Sequence, residues 1–519
     1  FKICYGGLLG KGAVVVDGFY NVISDNIVER SNYGIFLWRG GNNTISGNKI
    51  ANNTHGLVID TSSNNTFRNN AFIDNSYRNL ELTVPFFTYV VQDIDISNTV
   101  NGKPIVYLAE KQNLTISPEG YPQEIGILML INSRNVVVEG FNISHSYNSD
   151  YPEPDYNVFL HSNVNLTIRN NTISYGGDGI FFDSSNRDVF ISNNTLHNNS
   201  DGIYGYLLRY TYITQNIFYN NLVGIHIESG SYNTIWENTF YNHTHEVYTC
   251  TGIVLYGSAY TVIVGNNFTS NDEALFILGS FNTVYGNNIA NNSRGIRIGS
   301  GSIGNTISHN NFINNTDQVS VIGEQLNIWD SGYPSGGNYW SNYAEVDLYH
   351  GSHQNLTGSD GIGDTEYEID SNNIDHYPLM GMSSDFNATS EYSVQTICNS
   401  TISNFQFNGT AISFNVSGEN GTIGFCRICI PTALMNGTFT VYVDGVNTTY
   451  LPLPFSNSTY TYLYFNYTHS TKEIVITPEL PSLLILTLFM ITTLLAVIVY
   501  KRKYPTIKSK TTSHTHPVY

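Results

Sequence analysis

Ten asparagines, Asn26, Asn48, Asn70, Asn171, Asn194, Asn216, Asn238, Asn266, Asn287 and Asn310, each stand two residues ahead of an apolar residue. Neighbours are mostly 22 or 23 residues apart, with 28 between Asn238 and Asn266. A period of this length is that of a solenoid in which each repeat closes one rung. Within a repeat the chain reads as short runs separated by turns, as in Asn43-Thr-Ile-Ser, Gly47-Asn-Lys-Ile and Gly56-Leu-Val-Ile-Asp. β-Branched and aromatic residues suit strands, and Asn and Gly suit the corners between them. The spacing predicts an all-β parallel β-helix whose rungs stack about 4.8 Å apart, so that columns in the sequence become ladders in space. The asparagines themselves are expected at turns with left-handed backbone, their amides bonded to the rungs above and below.

A second column fixes the register. Ile35, Leu57, Ile180, Ile203, Ile225, Ile253, Leu275 and Ile296 each follow Gly or Ala and are expected to fill the core. Strand side chains alternate, so the next outward positions are Phe36 and Trp38, Val58 and Asp60, Phe181 and Asp183, Tyr204 and Tyr206, His226 and Glu228, Val254 and Tyr256, and Phe276 and Leu278.

The repeat occupies residues 1–330, with irregular rungs and an excursion at about 76–136. A Gly, Asp and aromatic-rich cap is expected over 331–384, because an open solenoid end exposes core and strand edges. Longer alternating runs over 385–477 predict a small β-sandwich. Residues 482–500 carry no charge and precede Lys501, Arg502 and Lys503, which predicts one transmembrane helix, a basic cytoplasmic tail over 501–519 and an external N-terminal ectodomain. About two dozen glycosylation sequons, among them Asn113, Asn142, Asn242, Asn355, Asn408 and Asn457, agree with that orientation. Phe1 is not Met, so a fragment or a processed chain is expected. Cys398 with Cys426 or Cys429 suits one disulfide in an external domain, and Cys426 and Cys429 also have the spacing of half a zinc site. The net charge of −19 argues against nucleic acid as a partner, because phosphate needs a basic surface.

Several strings carry a family resemblance. The repeats, with Val91-Gln-Asp-Ile-Asp, Asn98-Thr-Val-Asn-Gly-Lys-Pro-Ile, Gly337-Asn-Tyr-Trp-Ser-Asn-Tyr and Asp360-Gly-Ile-Gly-Asp-Thr, resemble archaeal NosD-like parallel β-helix surface proteins. Phe425-Cys-Arg-Ile-Cys-Ile-Pro, Val443-Asp-Gly and Pro478-Glu-Leu-Pro-Ser resemble their C-terminal module and anchor. The resemblance implies a right-handed helix of the kind shared by carbohydrate-binding and sugar-cleaving proteins. It also implies copper, since NosD is an accessory protein in copper-site maturation. Copper favours clustered Met, Cys or His, whereas this chain has 5 Met and scattered His.

Three functions follow as expectations. The first is a noncatalytic, membrane-anchored surface protein that binds an extracellular glycan or envelope component through Phe36, Trp38, Asp60, Phe181, Asp183, Tyr204, Tyr206, His226, Glu228 and Tyr256. Aromatic faces suit sugar C–H surfaces, and carboxylates accept from hydroxyls. The second is a polysaccharide lyase or glycoside hydrolase using Asp183 and Glu228, two rungs and roughly 9 to 10 Å apart, with no Arg or Lys beside them in the repeat. The third is copper handling through His226, His243 and His245. Independently, Asp347, Asp360, Asp364, Asp370 and Asp375 around glycine turns form a candidate calcium cage.

Overall fold

The computed structural model describes residues 13–83, 91–144, 155–183, 185–453, 459–479 and 482–503, plus the backbone of Lys2–Cys4. The chain divides into two compact units, one within Phe1–Asp385 and the other mostly within Ser400–Tyr519. The first is a right-handed β-solenoid made of two stacks.

Each rung has three strands. In the first stack the first face comprises Val14–Phe19, Tyr33–Gly41, His55–Ser63 and Arg78–Thr83, paired in parallel. The second stack starts at Lys103–Ala109 and runs to the first-face strand Asp317–Val321. Its second and third faces contain 9 and 10 strands. The columns behave as expected inside, where Ile180, Ile203, Ile225, Ile253, Leu275 and Ile296 are fully buried.

The asparagines form three ladders, one at each corner of the rung. In the ladder that includes Asn216, its backbone N and its Nδ2 donate to Asn238 Oδ1 (2.9 and 3.0 Å), and Nδ2 also donates to Ile191 O (2.9 Å). A second ladder runs through Asn282, Asn305 and Asn327, and a third through Asn271, Asn292 and Asn315. The left-handed residue is not the ladder Asn but the one before it: Asp25, Gly47, Asn69, Asn193, Gln215 and Glu237 all have φ between 52° and 65°. The αL residue turns the chain, and the Asn behind it points inward to satisfy the corner.

The excursion is a reversal. Asn101 and Gly102, with φ of 48° and 83°, make a tight turn, and Thr99–Val100 pairs antiparallel with Lys103–Pro104. Asn-Gly supplies the two positive φ values of a two-residue hairpin. The third face of the first stack thereby continues, in one 15-stranded sheet, into the first face of the second. Outer-face residues of the second stack, including Tyr107, Met129, Ile131, Tyr156 and Phe159, join Leu80 and Leu82 in a single buried cluster with the first stack. Tyr156 Oη donates to Leu80 O (2.6 Å), and Asp155 Oδ2 accepts from Asn79 N (3.0 Å). The first stack is thus closed by the flank of the second, and the two meet in an elbow.

The other end of the solenoid is closed by stacked rings. Phe312 lies 4.2 Å from Trp340, and Trp340 lies 4.3 Å from Tyr367. Asp375 is buried beneath them, its Oδ2 accepting from Asn338 N (2.8 Å) and Trp340 Nε1 (2.9 Å).

One corner of the second stack departs from Asn chemistry. Tyr210, Tyr232, Tyr260 and Phe281 occupy its αL position, with φ of 50°, 58°, 54° and 59°, and stack with centroids 5.5, 5.1 and 5.8 Å apart. Left-handed backbone costs a bulky residue about 1 kcal/mol or more, and each ring pair returns about 1 kcal/mol. Four costs against three stacks leave no gain in stability over Asn.

In the second unit, Thr401–Phe407, Ile412–Ser417, Lys472–Pro478, Phe439–Val443 and Val446–Thr448 form one antiparallel sheet. Ile423–Pro431, Tyr460–Thr468 and Leu451–Pro452 pair in another. Cys426 and Cys429 are buried on one strand. Three residues apart, they point to opposite faces and are not two ligands of one zinc ion. Residues Ser482–Lys503 form an α-helix. The side chains of 482–489, half of the expected membrane span, lie outside the described residues, as does the tail beyond Lys503. Among the described residues no helix is long and apolar enough to cross a membrane.

Two measurements check the ladder. Asn238→Ala strands the donors on Asn216 and is expected to cost roughly 3 kcal/mol in denaturant unfolding, the scale of losing a buried amide with several bonds; a loss under about 1 kcal/mol would contradict the account. His243 replaces Asn in the third ladder, and burial pushes its imidazole down to about 4 from 6.5. The folded state therefore binds fewer protons between those values. Its stability contribution is complete above the unfolded value and is lost as pH falls toward 4, about 3 kcal/mol in all. His243→Asn is expected to flatten the fall in stability over that window.

Candidate functional site

The elbow brings together side chains that the repeat alone keeps apart. Three outward columns run along the first face of the second stack. The first holds Tyr156, Asp178, Asp201, Val223, Thr251 and Glu273, and the second holds Phe159, Phe181, Tyr204, His226, Val254 and Phe276. In the third, Tyr206 pairs with Glu228 and Glu228 with Tyr256. Asp183 follows the strand Asp178–Phe182.

Arg78, from the last rung of the first stack, reaches across. Its guanidinium carbon lies 4.9 Å from the Tyr156 ring centroid and 5.2 Å from that of Phe181. Burial works against this charge, but Tyr156 and the carboxylates of Glu81, Asp155 and Asp178 hold its pKa above the usual value. Asp178 and Asp201 are register partners on adjacent rungs. Burial first, and then the Asp201 carboxylate, push the Asp178 carboxyl well above the usual range, with Arg78 pulling the other way. Two like charges a rung apart do not both ionise freely, so the pair resists carrying two negative charges.

The neighbours orient the remaining polar atoms. His226 Nδ1 lies 3.3 Å from Asp201 Oδ2, Tyr204 Oη donates to Glu228 Oε2 at 2.8 Å, and His161 Nδ1 lies 2.8 Å from Asp183 Oδ2. Burial and the Glu228 bond raise the Tyr204 phenol further, so it stays a neutral donor. Phe181 and Tyr204 stack at 5.5 Å, nearly parallel. The site thus offers aromatic surface, several carboxyl groups, one cation and an imidazole.

Of the expected glycan residues, Phe181, Asp183, Tyr204, His226 and Glu228 lie along this site, and Tyr206 and Tyr256 continue the third column with half-exposed rings. Phe36, Trp38 and Asp60 belong to the first stack, where Trp38 pairs with Asp60; they form a separate surface. Val58 and Val254 point outward but are covered, at 3% and 9% exposure. Asp178, Asp201, Asp155 and Arg78 were not found by alternation. The two aspartates precede the Gly-Ile signature, where the strand is just leaving its corner, and Arg78 lies 100 residues before Asp178. The cation accompanies Asp155 and Asp178, acids that alternation did not select. Further down the first column Glu273 is fully buried and accepts from Arg294 Nη1 (2.9 Å) and Arg297 Nη2 (2.8 Å).

Among the described residues no three His, Cys, Asp or Glu side chains converge on a metal position. His226 faces the elbow, while His243 is buried in its ladder and bonds to Asn221, so the copper trio is not assembled. The candidate calcium cage is likewise spread over turns. Asp347 accepts from Asp360 N and Gly361 N (2.9 and 2.7 Å), Asp364 from Leu348 N and Tyr349 N (2.9 and 3.1 Å), Asp370 from Asn372 N (2.8 Å), and Asp375 from Asn338 N and Trp340 Nε1. Backbone N–H groups fill these acceptors.

Comparison with known proteins follows the solenoid. Residues 178–342 match the family model described as right handed beta helix region, and residues 8–83 and 87–251 match that described as periplasmic copper-binding protein (NosD). A probable ABC transporter binding protein NosD of Pseudomonas aeruginosa is 37% identical over 101 residues, 19% of this chain and 21% of that one. Its counterpart in Stutzerimonas stutzeri is 36% identical over 111 residues, 21% of this chain and 23% of its own length. The match therefore spans under a quarter of these relatives. Among solved structures, the DFA-IIIase of Arthrobacter chlorophenolicus in complex with DFA-III is 11% identical, covering 60% of this chain and 77% of that one with a TM-score of 0.30. A tailspike protein of E. coli bacteriophage HK620 in complex with a hexasaccharide is 11% identical, covering 92% and 84% with a TM-score of 0.33. Over its repeats the chain is similar to NosD-like right-handed β-helix proteins.

Proposed function

We propose that this chain is a membrane-anchored cell-surface β-helix protein that binds an extracellular glycan in the elbow. The carrying observation is the meeting of Phe181 and Tyr204 with the Asp178–Asp201 pair, His226, Glu228 and Arg78. Stacked rings suit the C–H faces of a sugar, and ionised carboxylates accept from its hydroxyls. The Tyr204 hydroxyl and the Arg78 guanidinium donate to its oxygens, so both halves of a hydroxyl find a partner. The anchor rests on the uncharged run 482–500 before Lys501, on which the backbone is helical.

A hydrolytic reading has its own observation. Two neighbouring carboxyls, one of them pushed toward its acid form, are the pairing that glycosidic cleavage needs, and Asp178 with Asp201 on adjacent rungs fits it.

The test is a glycan array probed with the detergent-extracted full chain, with reducing-end assays on every hit. Retention is expected to fall at least tenfold in Asp201→Asn and in Tyr204→Leu, while release of reducing ends, abolished by Asp178→Asn, would select the hydrolytic reading. No retained glycan would sink the proposal. For the anchor, the chain is expected to stay with membranes through alkaline carbonate and to leave them when truncated before Ser482.

A further inference from the structure

A second surface lies one corner away, on the second face. Its four rungs are residues 210–214, 232–236, 260–264 and 281–285, reading Tyr-Thr-Tyr-Ile-Thr, Tyr-Asn-Thr-Ile-Trp, Tyr-Thr-Val-Ile-Val and Phe-Asn-Thr-Val-Tyr. The ladder Tyr210, Tyr232, Tyr260, Phe281 forms one edge, each ring about half exposed (49–51%). Tyr212 and Trp236 stand beside it on the strands, 44% and 45% exposed. Tyr212 stacks on Phe190 at 4.9 Å.

Three observations point to a ligand and narrow its class. First, the four ladder rings hold strained αL backbone with no return in stability over the Asn used at the same corner in Asn42, Asn64 and Asn132. Strain held without structural gain is a mark of function. Second, no residue of the four rungs is charged, although the chain carries 41 acids and 22 bases, and none of them begins a glycosylation sequon. Apart from Asp385, which with Gln395 bonds to Tyr285 at the far end, the face is uncharged and suits a neutral partner. Third, the face is small. Four rungs of about 4.8 Å by five residues of about 3.3 Å give roughly 300 Å², well below the ~800 Å² per partner of a stable protein interface. A second copy of the chain is therefore too large an occupant.

A slender molecule with its own regular repeat fits. Ring spacings of 5.1–5.8 Å along the solenoid axis are those of one sugar per rung in an extended polysaccharide. The tyrosine and threonine hydroxyls recur with the same period.

We propose that this face binds an extended, uncharged polysaccharide lying along the solenoid axis, one sugar to a rung. The site is separate from the elbow and does not depend on it: the elbow gathers charged groups at the meeting of two stacks, and the four rungs of this face carry none of their own.

The experiment uses the full chain in detergent with insoluble cellulose and insoluble chitin as probes, and a soluble cellooligosaccharide as competitor. The fourfold variant Tyr210→Asn, Tyr232→Asn, Tyr260→Asn, Phe281→Asn restores the corner residue found elsewhere, so its circular dichroism and Tm are expected to match the parent. Retention on at least one polymer is expected to fall tenfold or more in the variant. If the parent binds neither polymer, or the variant binds as the parent does, the proposal is overturned. It is also overturned if the parent self-associates in sedimentation and the variant does not, since the face would then be an interface between copies. Should the fourfold variant fail to fold, Trp236→Thr with Tyr212→Thr, both on regular strand backbone, carries the same test and the same outcomes.

Discussion

Every corner of a β-solenoid strands backbone polar groups inside a rung too narrow for water, and the asparagine amide solves this once per corner per rung. Its oxygen accepts two N–H groups of the rung before, and its nitrogen returns a bond to a carbonyl of the same neighbour. Because each amide depends on the next, an insertion inside a rung breaks a ladder, whereas one between rungs does not. The period is therefore held near 22 residues, and the departures, such as 28 between Asn238 and Asn266, fall where a loop, Asn242 to Cys250, projects outside the strands. Thr211, Thr261 and His243 enter the ladders because each still presents a backbone N–H at the corner to the next rung's acceptor.

This constraint explains what was legible. Fold, strand register and the inward column follow from periodicity alone, since they are local consequences of one repeated rule. Half of the elbow was legible for the same reason: Phe181, Tyr204, His226 and Glu228 alternate with core residues. The other half depends on the junction. Arg78 and Asp155 belong to rungs with different neighbours in sequence and in space, and no column contains both. The signal for the junction was present in Asn101-Gly102, the strongest short hairpin signal, standing between Val100 and Pro104. Read as a turn rather than as part of an irregular rung, it would have announced that the chain reverses.

One column shows how the same geometry is put to different uses. Glu273 and Asp178 occupy the same outward column four rungs apart. Glu273 is neutralised by Arg294 and Arg297, one rung on, and Arg297 also lies 3.7 Å over the Phe276 ring. That arrangement is closed, with carboxylate, guanidinium and ring satisfying each other. At Asp178 the cation must come from the other stack, and the second carboxylate sits on the next rung. Burial and the Asp201 carboxylate push the Asp178 carboxyl up, and Arg78 pulls it down. The elbow is thus where the repeat ceases to satisfy its own surface.

The aromatic corner follows a different logic from the elbow, and the contrast bears on how solenoids acquire binding surfaces. At the elbow, chemistry arises because two stacks collide and their charges are brought together at one point. On the second face nothing collides: each rung repeats the last, and what accumulates is extent rather than intensity. Tyr210, Tyr232, Tyr260 and Phe281 differ from Asn42 and Asn64 by side chain alone, since all share the same αL backbone. A column can therefore be rewritten residue by residue without disturbing the ladder beside it, because the αL residue and the ladder Asn point in opposite directions. Point recognition needs a break in the periodicity, and recognition of a repeating polymer needs the periodicity kept, so one chain has room for both.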